Sequence, residues 1–260
     1  VLWTLFEEYE GNTIRIRILE VLRDIGPGNA EVILDLNGWV QAQANLYRGG
    51  VAPDQQVMRN AVITVGALAD DSSFPVLLDV QLVGMTNVIT RDARAAMEQL
   101  PGDYVELAYS TVNERQMSRR LEALDYFLED DELDDQQKAL IAYRVLNQAV
   151  LEITRAPTQI EAKRQLRYRS AQTLADIPYP DATETLILHF QQTFADYEQG
   201  QTIKTWLLES IAALGTTGTE RAAERLTAFL DLLNIYAEND RPYDTQLMLA
   251  VVTNLGRLGY

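Results

Sequence analysis

Apolar residues recur along most of this chain at intervals of three and four, the period of an amphipathic helix with one buried stripe. In the segment TIRIRILEVLRDIG, Thr13 to Gly26, the residues Ile14, Ile18, Val21, Leu22 and Ile25 fall on one side before a glycine stops the run. A second helix opens at Asn29, carries Val32, Ile33, Leu36, Trp39, Val40 and Leu46, and ends at Gly49-Gly50. A third starts at Asp54, and another runs from Phe74 to Met85. The alternation of stripe and short break at Gly, Pro, Asp or Asn continues to the end. Three stretches, TIRIRI, NAVITV and MTNVIT, alternate in the manner of a strand. Their longer windows keep the helical period, so helix is expected there too. Asn29, Asp54, Thr158, Asp181 and Thr219 stand where helix caps are expected, and Glu184 follows Asp181 at capping-box spacing.

The pattern repeats. First helices end at Ile25-Gly26, Leu68-Ala69, Leu100-Pro101, Leu128-Glu129, Leu174-Ala175, Leu214-Gly215 and Leu255-Gly256. The mean offset is about 38 residues, the length of a two-helix repeat. After each comes a second amphipathic helix, clearest in DATETLILHFQQTFADYEQG and TERAAERLTAFLDLLNIYAEND. No single pair can bury its stripe alone, so neighbouring pairs must stack on one elongated interior. The expectation is an all-α superhelix, an α-solenoid of six to seven helix pairs, forming one domain over residues 1–260.

The segments RNAVITVGALAD, RSAQTLADIPYPDATETLI and LLESIAALGTTGTERAAERLTAFL resemble HEAT repeats. Arg59, Arg94 and Arg169 sit near that family's arginine position. Ala61, Ala95, Ala171 and Ala212 match its small packing positions, and Asp70 and Asp176 its turn aspartate. ARAAMEQLPGDYVELAYSTVNE is a short unit, and LEDDELDDQQ makes an unusually long turn. Armadillo-like and tetratricopeptide-like stacks fit less well. The resemblance implies a non-enzymatic scaffold that presents a curved face of second helices to a protein or peptide.

Charge narrows the partner. Thirty-eight Asp and Glu against 22 Lys and Arg give a net charge of −16, a field that opposes nucleic acid and anionic membrane. The chain has no cysteine, which removes disulfides, thiol catalysis, Fe–S clusters and cysteine-ligated zinc. No apolar run reaches the ~20 residues of a membrane span. The opening VLWTLFEEYE has neither a basic leader nor a cleavage site, and reads as the later part of an amphipathic helix in a trimmed or processed chain. No cofactor is expected. Compartment and oligomeric state stay open.

More than half of the cations lie in residues 91–170. Arg155, Lys163, Arg164, Arg167 and Arg169 crowd into fifteen residues, with Lys163 and Arg167, and Arg164 and Tyr168, one helical turn apart. This cluster suits an acidic peptide, a phosphate or a carboxylate. It can equally answer the acids of Glu129 to Asp135 across a repeat interface. Tyr179 and Tyr243 fall in turns and are candidate interface anchors, making the expected partner-binding set Arg155, Lys163, Arg164, Arg167, Tyr168, Arg169 and Tyr179. The acidic run itself has six acids in seven positions but no EF-hand spacing, so it reads as a solvated turn over the next helix's positive end. His189, the single histidine, has no serine–acid arrangement beside it and reads as structural or surface. Walker, GxGxxG-acid, GxSxG and HExxH patterns are absent. Two other readings remain: a ligand-handling enzyme of the HEAT-like phycobilin-lyase kind, and a self-assembling protein joined through its apolar ends VLWTLF and NLGRLGY.

Overall fold

A computed structural model describes residues 1–239, 241 and 243–259. Among these residues there are helices and turns and no strand, and the strand-like stretches TIRIRI and NAVITV are helical as expected. Fourteen α-helices follow one another among the described residues: α1 (Leu2–Glu8), α2 (Asn12–Ile25), α3 (Ala30–Arg48), α4 (Gln55–Leu68), α5 (Phe74–Leu82), α6 (Asn87–Glu98), α7 (Tyr104–Glu114), α8 (Met117–Leu128), α9 (Asp135–Leu151), α10 (Pro157–Asp176), α11 (Thr183–Glu198), α12 (Lys204–Thr216), α13 (Glu220–Glu238) and α14 (Thr245–Leu258). They form two compact units, residues 1–111 and 112–260.

Each unit is a solenoid-like stack of sequence-adjacent helix pairs. In the first, α2, α4 and α6 pack side by side as a row of first helices, with α3 and α5 forming an outer row. In the second, α8, α10, α12 and α14 form the equivalent row, and α9, α11 and α13 lie over it. First helices lie against one another along much of their length, while second helices meet over only a few residues. Small side chains make the close row possible. A Cβ on Gly66 would stand 2.7 Å from Ala96 Cβ, and one on Gly215 would stand 2.6 Å from Asn254 Cβ. Ala61 and Ala171 are fully buried at such crossings. The positions expected at Ala95 and Ala212 shift by one: Ala95 is exposed and Ala212 half-buried, whereas Ala96 and Ala213 are buried.

Polar bridges repeat at the spacing of the pairs. Arg59 donates to Asp92 at 2.6 Å, Arg120 to Glu152 at 2.5 Å, Arg164 to Asp196 at 3.1 Å and Arg169 to Asp125 at 2.6 Å. The partners are 32 to 44 residues apart: Arg59–Asp92 and Arg169–Asp125 join successive first helices, whereas Arg120–Glu152 and Arg164–Asp196 tie a first helix to the second helix that follows it.

Asn29, Asp54 and Thr219 cap α3, α4 and α13 with their side chains. Two expected caps are corrected. Helix α10 starts earlier, after Ala156, because Pro157 takes the first helical position, which suits its fixed φ and missing N–H. That places Thr158 inside the helix. Pro180 likewise begins a short 3-10 turn ahead of α11, so Ala182 is the cap residue and Asp181 makes no capping bond.

Candidate functional site

The α9–α10 junction of the second unit opens a cavity of about 480 Å³ between second helices α9 and α11, with the N-terminal half of α10 along its side. Lys163, Arg164 and Arg167 line it together with Gln192 and Asp196 of α11. Their convergence follows from helical spacing: residues 163, 164 and 167 cover one side of α10. Val150, Leu151, Ile153 and Ile160 supply its apolar wall, and Leu151 and Ile153 are 63% and 86% exposed at its lip.

Each cation is held differently. Arg164 grips Asp196 with two N–H groups, Nε at 3.2 Å and Nη2 at 3.1 Å, and also donates to Gln201. Arg167 is only 5% exposed, which corrects its expected place as a surface cation. It donates to Gln192 Oε1 at 2.7 Å, Thr193 Oγ1 at 3.2 Å and Asp196 at 3.5 Å, while its Nε is buried without a partner. Lys163 is half-buried and donates from Nζ to the Glu152 carbonyl at 2.5 Å. Burial and then the neighbouring Arg167 charge push the Lys163 ammonium below its usual range, against the pull of Glu152 and Asp196. Burial also lowers Arg167, with Asp196 opposing and Arg164 adding to the fall. The cavity thus concentrates partly desolvated positive charge.

The remaining expected residues do not join this wall. Arg169 turns to Asp125 of α8 and Gln172. Tyr168 stacks on Trp206 of α12, ring centroids 4.9 Å apart, and burial followed by the Glu209 charge raises its phenol. Tyr179 is half-buried beside Tyr143, with centroids at 5.6 Å. Arg155 is exposed in the loop before α10. The acids that answer the cluster are Asp196 and Asp125, not Glu129 to Asp135. That run forms the turn into α9, where Asp134 accepts from the Gln137 N–H at 2.8 Å and Gln137 reciprocates, a full capping box. Among the described residues no group of three or more His, Asp and Glu side chains is placed to hold a metal ion.

His189, on α11 one turn before Thr193, is 2% exposed. Its Nδ1 is 3.5 Å from Thr193 Oγ1, the hydroxyl that also accepts from Arg167, and its Nε2 is unpaired. Burial, then the Arg167 charge, holds its pKa well below 6.5, so the ring is neutral and structural. Asp196, Gln192, Glu152, Leu151 and Ile153 were missed from sequence. The separation of Arg164 and Asp196, equal to that of Arg120 and Glu152, is the signal that points to Asp196.

No protein-family model matches the chain, and no curated protein matches it at a meaningful level of similarity. No helix among the described residues is long and apolar enough to cross a membrane.

Proposed function

We propose that this protein is a HEAT-like interaction scaffold, without catalytic activity of its own, that docks an acidic segment of a protein partner at the basic cavity of its second unit. The carrying observation is the gathering of Lys163, Arg164 and Arg167 around one apolar-lipped opening in a chain of net charge −16. Elsewhere that field repels an acidic segment, so the cavity and the adjacent Arg155 give docking its register. Leu151 and Ile153 supply apolar contact beside the charges. Grooves between successive second helices provide the extended surface that repeat scaffolds use.

Fluorescence anisotropy with a labelled peptide alternating Glu and Leu tests this. Lys163→Glu with Arg155→Glu should weaken binding about tenfold or more, leave circular dichroism unchanged, and reduce the salt dependence. Equal binding by the variant, or none by the parent protein, refutes the reading. Arg164 and Arg167 are poor targets, because reversing them destroys the Asp196 contacts that tie α10 to α11 and leaves a charge repelled at a buried site.

Self-assembly is favoured by one observation: Leu249 and Val252, 67% and 53% exposed, share the outward side of α14. Light scattering at two concentrations checks it. A mass that does not change with concentration rejects it.

A further inference from the structure

We infer that the group the basic cavity takes is a phosphomonoester dianion carried on a side chain of the partner segment, a phosphoserine or phosphothreonine. This rests on the docking role proposed above and narrows its chemistry.

Charge is the first argument. Two carboxylates line the cavity with the three cations, but Glu152 directs its carboxylate to Arg120 at 2.5 Å. Asp196 is then the one lining carboxylate bonded to Arg164 and Arg167, while both carboxylates pull on the Lys163 ammonium. Glu161 comes only to 4.0 Å of Arg164 and is half-exposed. Counting Arg120 together with the Glu152 it holds, four positive charges face two negative ones, a surplus of two. A carboxylate or a phosphodiester, each a monoanion, removes half of it, whereas a phosphomonoester carries close to two negative charges near pH 7.

Donors are the second. The Lys163 ammonium has three N–H groups and spends one on the Glu152 carbonyl. Arg164 commits Nε and Nη2 to Asp196 and Gln201, leaving Nη1 with the long approach to Glu161. The unused donors suit an acceptor with three oxygens, which forms charge-assisted bonds to both residues at once.

The lip is the third. A free phosphate ion has no use for Leu151 and Ile153. A phosphorylated side chain brings neighbouring residues that can lie on them, and the cavity's volume admits a side chain and the start of its flanking residue.

Nuclear magnetic resonance titration of the full chain with three probes tests the inference: N-acetyl-phosphoseryl-leucine amide, N-acetyl-glutamyl-leucine amide and inorganic phosphate. The phosphodipeptide should shift the Lys163 and Arg164 side-chain signals and bind about tenfold tighter than the glutamyl probe. It should also bind several-fold tighter than inorganic phosphate. Lys163→Gln should erase the preference for phosphoryl over carboxylate, and Ile153→Ser the preference for dipeptide over free ion. Both positions are solvent-accessible enough for these variants to keep the fold. Equal affinity for the phosphoryl and glutamyl probes overturns the phosphoryl assignment and leaves acidic docking standing. Inorganic phosphate binding as tightly as the dipeptide overturns the side-chain source. No binding by any probe overturns both this inference and the docking reading.

Discussion

Replacing four glycines by alanine probes the close row of first helices from both sides. A helical glycine gains roughly 1 kcal/mol on becoming alanine if space allows, because the unfolded chain loses freedom and the helix becomes easier to form. Space differs sharply between the sites. At Gly38 in α3 and Gly256 in α14, a new Cβ meets nothing within 4 Å. At Gly66 it would be 2.7 Å from Ala96 Cβ and 3.0 Å from Ala96 Cα, so α4 and α6 must separate. At Gly215 it would press on Asn254, which donates to the Ala250 carbonyl at 2.8 Å and would have to leave that position. Overpacking of this kind costs about 1–3 kcal/mol. Set against the propensity gain, Gly66→Ala should lose about 1 kcal/mol and Gly215→Ala about 2. Gly38→Ala should gain up to about 1, and Gly256→Ala less because it lies near a helix end. Urea denaturation followed by circular dichroism reads all four. The pairs Gly66 with Gly38 and Gly215 with Gly256 compare crowded and open sites within one unit. If the crowded variants are as stable as the open ones, the close approach of the first helices is wrong.

Three further outcomes follow from single side chains. The folded pKa of His189 lies below its unfolded value of 6.5, so the unfolded state takes up the proton first on acidification. Its stabilising contribution is complete above pH 6.5 and falls by about 1.4 kcal/mol per pH unit below that, until the folded pKa is reached. Denaturation midpoints measured across this range should show that slope, and His189→Gln should flatten it. Glu152→Ala strands Arg120, whose side chain is 8% exposed, and should cost about 2 kcal/mol, discounted because the Glu152 side chain is 28% exposed. Arg120→Met should cost less, as judged by the same midpoints. Asp134→Ala removes the capping box of α9 and should cost about 1 kcal/mol, with faster amide exchange in the first turn of that helix.

Much of the fold was legible because helix pairs write a local signal. The stripe Ile18, Leu22 and the stop at Gly26 need no knowledge of distant residues, and α2 ends at Ile25. First helices α4 and α8 end at Leu68 and Leu128, as the repeated breaks indicate. Caps were legible where a polar side chain preceded the stripe, as at Asp54, and misread where proline moved the start, as at Pro157 and Pro180. The candidate site was only half legible. Its cations stand close together in sequence on one helix, but the groups that set their roles arrive from α11, 25 to 32 residues on, and from the end of α9, 11 residues back. Nearness in sequence suggested the acids of Glu129 to Asp135. Polar side chains of α11 instead answer Arg167, with Asp196 among them, and Arg167 is buried. Tyr168 and Arg169 were grouped with the cluster by number, yet they turn to α12 and α8 because adjacent helical positions diverge by about 100°.

The most direct measurement is a crystal structure of the protein soaked with the phosphoseryl dipeptide. The account predicts ordered phosphate oxygens within hydrogen-bond distance of the Lys163 ammonium and the Arg164 guanidinium, with the leucine against Ile153. A dipeptide ordered elsewhere, or a cavity closed over the three cations, contradicts it.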